Sequence, residues 1–293
     1  PQNLSNMVWA YATAGVPAAA LYEAVAQAAV REGLRGFNPQ NLSNMVWAYA
    51  TAGVPAAALY EAVAQAAVRE GLRGFNPQNL SNTVWAYAAA GVPAAALYEA
   101  VAQAAVREGL RGFKPQALAN MVWAYATAGV PAAALYEAVA QAAVREGLRG
   151  FKPQDLSNTV WAYATAGVPA AALYEAVAQA AVREGLRGFK PQALANMVWA
   201  YATAGVPAAA LYEAVAQAAV REGLRGFNPQ NLSNTVWAYA TAGVPAAALY
   251  EAVAQAAVRE GLRGFNPQNL ANTVWAYATA GVPAAALYEA VRR

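Results

Sequence analysis

A 38-residue string recurs along this chain, and its copies are almost identical. Residues 37–74 read FNPQNLSNMVWAYATAGVPAAALYEAVAQAAVREGLRG, and near-copies begin at Phe75, Phe113, Phe151, Phe189, Phe227 and Phe265. The first copy lacks its opening two residues and the last stops in mid-unit. The units are therefore 1–36, 37–74, 75–112, 113–150, 151–188, 189–226, 227–264 and 265–293. A fixed period of this length restricts the fold more than composition does. Each unit buries its apolar face only against its neighbours, so residues 1–293 read as a single repeat array and not as two globules.

The unit reads as a helical hairpin. In the second unit Asn38 can cap a helix, and Pro39 suits the first helical position. That helix runs to Ala52, and Gly53 ends it. Pro55 opens a second, alanine-rich helix that stops near Gly71 to Gly74. The expected fold is all-α: an α-solenoid superhelix of eight 38-residue helical-hairpin repeats, right-handed by analogy. At about 100° per residue, Leu42, Val46, Trp47, Tyr49 and Ala50 share a broad apolar arc of the first helix. Asn41, Asn44, Met45, Ala48, Thr51 and Ala52 lie opposite. The second helix carries one polar stripe, Glu61, Gln65 and Arg69, at a spacing that permits side-chain pairing. The second helix is thus expected to form the buried outer layer, and the first to present the polar face.

Composition removes several functions. The chain has no cysteine and no histidine, so thiol chemistry, disulfides and the commonest general base and metal ligand are missing. Every carboxylate except Asp155 recurs in unit after unit, whereas a catalytic centre needs a local and unique constellation. No enzyme and no cofactor are expected. The apolar runs are broken by Pro39 and by Gly53-Val54-Pro55, too short to span a bilayer, so no membrane partner is expected. The net charge is only +3, because the two arginines and two glutamates of each complete unit cancel. The surplus lies in Lys114, Lys152, Lys190 and the terminal arginines, offset by Asp155 and Glu289.

Nearly all variation falls at four repeat positions, numbered from the phenylalanine. Position 2 is asparagine or, in three consecutive units, Lys114, Lys152 and Lys190. Position 7 alternates between serine and alanine and points towards the packing face, which marks it as structural. Positions 5 and 9 lie one helical turn apart on the polar arc. Their pairs, in chain order, are Asn3 and Met7, Asn41 and Met45, Asn79 and Thr83, Ala117 and Met121, Asp155 and Thr159, Ala193 and Met197, Asn231 and Thr235, and Asn269 and Thr273. Four pair types on an invariant scaffold are what a reader of one base per unit would show. Drift at two sites can also produce four. Alanines such as Ala48 and Ala52 flank these positions and would let a ligand approach the helix closely.

The period and the motif PQ-x-L-x-N-x-x-WA-x-A-x-x-G, which cover the whole chain, resemble the octotricopeptide repeat proteins. The resemblance implies binding of single-stranded RNA, up to about eight bases here, and an organellar setting in chloroplast or mitochondrion. Two departures stand out. The copies are nearly clones where natural repeats are degenerate, and no transit peptide precedes them. Both point to a consensus-designed protein or an excised array.

On this resemblance, the pairs at positions 5 and 9 are expected to touch Watson–Crick edges. Asp155 would accept from guanine N1–H and N2–H or from cytosine N4–H, and asparagine would offer donor and acceptor together. Lys114, Lys152 and Lys190 are expected to contact phosphates near helix N-termini, with a solubilising charge as the plain alternative. The asparagines at position 8 (Asn44 in the second unit) are open to two roles, a ladder between units or a constant contact to RNA. The tryptophans could stack on bases, but their place on the apolar arc points to core packing. The rival to RNA binding is a helical-repeat scaffold for protein or peptide interaction. The uncapped end faces, related by translation, also allow head-to-tail self-stacking.

Overall fold

The computed structural model describes residues 1–292. Among these, all regular structure is α-helical, in sixteen helices. The first helices of successive repeats are α1 (Gln2–Ala14), α3 (Pro39–Ala52), α5 (Pro77–Ala90), α7 (Pro115–Ala128), α9 (Pro153–Ala166), α11 (Pro191–Ala204), α13 (Pro229–Ala242) and α15 (Pro267–Ala280). The second helices are α2 (Ala19–Arg31), α4 (Ala57–Arg69), α6 (Ala95–Arg107), α8 (Ala133–Arg145), α10 (Ala171–Arg183), α12 (Ala209–Arg221), α14 (Ala247–Arg259) and α16 (Ala285–Arg292). The chain divides into two compact units, Pro1–Ala142 and Ala143–Arg293. Each is a stack of helical hairpins with the 38-residue repeat of a solenoid.

Local chemistry sets the hairpin. Asn38 accepts a hydrogen bond from the backbone N–H of Asn41, and the Asn41 side chain accepts one from the N–H of Asn38, so α3 begins in a capping box with Pro39 at its first position. It ends at Gly53, whose φ of 64° is left-handed, and Val54 N–H closes on the Tyr49 carbonyl. The second helix starts at Ala57, two residues after the proline expected to open it, because Ala56 at φ −151° and ψ 56° is not helical. It ends at Arg69, before the glycines. The chain then turns through Gly71 and Leu72, both left-handed at φ 60° and 57°.

Within each unit the first helices pack closely side by side, while the second helices diverge and touch more lightly. Contrary to expectation, the first helix is the more buried of the two: α3 buries Asn41, Leu42, Ser43, Met45, Val46, Ala48 and Tyr49, whereas α4 buries only Leu59, Tyr60, Val63 and Ala67. Small residues explain the difference: Ser43 and Ala48 have no exposed surface, and their size lets first helices approach.

Two tyrosines per repeat tie the layers together. Tyr60 Oη donates to the Val46 carbonyl of its own hairpin at 3.2 Å, and Tyr49 Oη donates to the Tyr22 carbonyl of the hairpin before it. The rings of Tyr22 and Tyr49 meet edge to face at 5.0 Å. The pattern returns at Tyr60 and Tyr87, at Tyr98 and Tyr125, and at Tyr212 and Tyr239.

Candidate functional site

The residues that vary between repeats lie in the seam between first helices. At position 9, Met45, Thr83, Met121, Thr159, Met197, Thr235 and Thr273 are at most 2% exposed. At position 5, Asn41, Asn79, Ala117, Asp155, Ala193, Asn231 and Asn269 are at most 8% exposed. Only Asn3 and Met7, on the helix with no first helix before it, are exposed. Positions 5 and 9, expected to face a ligand, therefore face the neighbouring helix. Ala48, expected to let a ligand approach, is fully buried in that seam, whereas Ala52 is exposed.

The seam chemistry is largely self-satisfied. Thr83, Thr159, Thr235 and Thr273 donate to the carbonyl four residues earlier in their own helix, at 2.7 Å. Asn79 Nδ2 donates to Ser43 Oγ at 3.2 Å, and Ser5, Ser157 and Ser233 donate to the position-5 carbonyl of the next repeat. Ser81 Oγ is the one buried side-chain oxygen among the described residues that lacks a partner. Asp155 accepts from the Lys152 N–H at 2.9 Å. Burial raises the pKa of its carboxyl, against the opposing pull of that hydrogen bond and of the Lys152 charge. The structural role expected for position 7 is thus seen directly.

What the first helix does expose is a stripe that shares Asn44 and Thr51 with the expected polar arc, and it is almost invariant. Positions 4, 8, 11 and 15 follow the helical spacing i, i+4, i+7 and i+11. In α3 they are Gln40, Asn44, Trp47 and Thr51, and in α9 they are Gln154, Asn158, Trp161 and Thr165. The tryptophans are half-buried, not core. They rise to 43% and 46% exposed at Trp9 and Trp275. Neighbouring indoles form a row: Trp9–Trp47, Trp47–Trp85 and Trp85–Trp123 have ring centroids 6.5, 6.4 and 6.2 Å apart, and Trp237–Trp275 lie at 6.5 Å. The position-8 asparagines form no ladder between repeats among the described residues. Asn82 and Asn158 instead accept from Gln78 and Gln154 one turn earlier, at 2.7 Å. The stripe was readable in sequence as the polar residues of the first helix recurring at one period.

The charged side chains lie elsewhere. Lys114, Lys152 and Lys190 are exposed at the starts of α7, α9 and α11, and neither Lys114 nor Lys190 caps its helix. On the second helices Gln65 Nε2 donates to Glu61 Oε1 at 3.1 Å, as the spacing implied. Arg69 pairs with its sequence neighbour Glu70 at 3.5 Å, with both side chains well exposed, so the pair adds little stability. No described helix is long and apolar enough to cross a membrane.

Fold and surface together define a helical-hairpin repeat protein that presents a constant amide and indole face. The family described as "Tbc2 translation factor, N-terminal domain" matches residues 104–178, 130–217 and 174–254, which together span just over half of the chain. The chain belongs to this family. A second family, described as a protein of unknown function, matches residues 20–46, 58–84 and 248–274, all at the same phase of the repeat. No curated protein matches the chain.

Proposed function

We propose that the chain binds single-stranded RNA along the exposed stripe of its first helices, about one base per repeat. The observation that carries the reading is the row of half-exposed indoles, one per repeat, lined by amide side chains. An indole face stacks on any base and contributes about 1–3 kcal/mol per base. Amides supply both donors and acceptors to base edges. Membership of a translation-factor family and the octotricopeptide resemblance support the same reading.

Selection among bases belongs to the same proposal, but it acts indirectly. The buried pairs at positions 5 and 9 bracket the stripe asparagine at position 8. They set where that amide and the adjacent indole sit; they do not touch the base. Selection from a randomised single-stranded RNA pool tests both parts. A motif with equal bases wherever repeats share a pair supports indirect selection, and retention without a motif leaves stacking alone. Absence of retention removes the RNA reading. In the RNA-binding case, Trp85→Ala and Asn120→Ala should each weaken affinity, the first by about 1–3 kcal/mol. Asn120 is only partly buried, so its variant separates contact from folding.

A peptide-binding scaffold is the second reading, and one observation favours it. The diverging second helices leave a groove of about 670 Å³ between α2 and α4, lined by Ala26, Val30, Val54, Pro55 and Ala57. Such apolar clefts suit side chains better than phosphates.

A further inference from the structure

The stripe of amides and indoles carries no charge, so an RNA held there would leave its phosphates without partners on the same surface. The molecule does hold cationic groups in a repeated setting, at the loops that join one hairpin to the next. Between two successive loops lies a slot of about 380 Å³, lined by Arg35, Phe37, Arg69, Glu70, Arg73 and Phe75 among others. The equivalent slot within Ala143–Arg293, about 330 Å³, is lined by Arg187, Phe189, Arg221, Glu222, Arg225 and Phe227 among others.

Charge in these slots is unbalanced. Arg221 is paired with Glu222 at 3.5 Å, and Arg69 with Glu70 at the same distance. That leaves two loop arginines per slot, Arg35 with Arg73 and Arg187 with Arg225, all exposed and without an ion pair. A guanidinium can engage a phosphate through two parallel N–H donors, and its planar fork suits that geometry better than an ammonium does. The carboxylate that lines each slot, Glu70 or Glu222, is taken up by Arg69 or Arg221, and the other glutamate of the repeat, Glu61 in residues 37–74, lies on the second helix and accepts from Gln65.

The loop that presents each arginine is built at a cost. Leu34 and Leu72 adopt φ 57°, a left-handed conformation that a leucine rarely takes, and are nevertheless 7% and 6% exposed. Burial of the leucine holds the turn. The N–H of Arg73 closes on the Glu70 carbonyl at 3.3 Å and that of Phe75 on the Leu72 carbonyl at 3.1 Å. Each arginine therefore leaves from a backbone fixed on both sides, at the same point of every repeat. Strain of this kind persists only where the surroundings over-determine it.

We infer that the inter-repeat slots bind phosphate groups, one per slot, between consecutive loop arginines. This rests on the RNA reading for the source of the phosphates, the backbone of the bound strand. Lys114, Lys152 and Lys190 add a further cation beside three of the loops.

The test compares the parent chain with a variant carrying Arg35→Gln, Arg73→Gln, Arg187→Gln and Arg225→Gln. Glutamine keeps much of the stem and removes the charge, and the exposed positions leave the core intact, which circular dichroism verifies. Two probes are used, a single-stranded RNA pool and inorganic polyphosphate, which has no bases. The variant should lose roughly tenfold in polyphosphate affinity. Its salt dependence for RNA should flatten by at least about 1.4 in log–log slope, about 0.7 for each of the two slots that lose both arginines, with more from the adjoining slots that lose one. RNA bound with an unchanged slope overturns the slots and leaves the stripe standing. Polyphosphate bound through these arginines without any RNA binding supports the slots and overturns the RNA reading. If the parent binds neither probe, both fall.

Discussion

At the scale of single residues, the buried tyrosines govern how the molecule responds to pH. Tyr87 and Tyr98 are 1% exposed, and burial pushes their phenols well above the ordinary value of about 10. Tyr250 is pushed up to about 12, also by burial. Above pH 10 the unfolded chain releases phenolic protons that the folded chain keeps, so the folded state binds more protons. The stabilisation is whole below about pH 10 and is lost as pH rises through the folded values. Urea titrations followed by circular dichroism should show flat stability from pH 7 to about 9.5 and a steep fall towards pH 12. Replacing Tyr87 with phenylalanine should cost about 1 kcal/mol at pH 7, because its hydroxyl bridges to the Tyr60 carbonyl of the preceding hairpin. An unchanged urea midpoint for that variant would mean the bridge does not hold the hairpins together.

At the scale of the helix, the ends were legible where side chains cap them and illegible where they do not. Asn38, Pro39 and Gly53 announced both ends of α3, and the structure places all three there. No such residue marks the start of α4, where Ala56 stands in the cap position without a side-chain hydrogen bond. The variable seam was illegible for a related reason. A surface arc and a helix–helix seam both carry small and polar side chains, and only the close approach of the next helix, 36 or more residues away in sequence, tells them apart. Asn79 looks like a surface amide until its bond to Ser43 is seen. The caps also differ between repeats in a measurable way. Asn76 caps α5 by accepting from the Asn79 N–H at 2.8 Å, whereas the Lys114 side chain makes no cap on α7. Asn76→Ala should cost about 1 kcal/mol in urea unfolding and speed hydrogen exchange in the first turn of α5. Lys114→Ala should leave both near the parent value. Equal effects from the two substitutions would show that position 2 acts by something other than capping.

At the scale of the molecule, hairpins whose strongest packing is on their sequence neighbours should tolerate the removal of one of them. Deleting residues 75–112 takes out one complete repeat and brings Gly74 to Phe113. The joint that results already has precedents. Ser43 would face Ala117 as Ser157 faces Ala193, where the hydroxyl donates to the carbonyl at 3.0 Å. Tyr125 would reach the Tyr60 carbonyl as Tyr87 does in the parent. Stability in such arrays is close to a sum of repeat terms and nearest-neighbour interfaces. The shortened chain should therefore fold with the same helical signal per residue. Its dependence on urea should be shallower, in step with the surface no longer buried. Under the RNA reading it should also release fewer counterions, flattening the salt slope by about 0.7 for the slot that disappears. A shortened chain that fails to fold would show that contacts beyond nearest neighbours hold the stack. A folded one with an unaltered salt slope would count against one phosphate per joint.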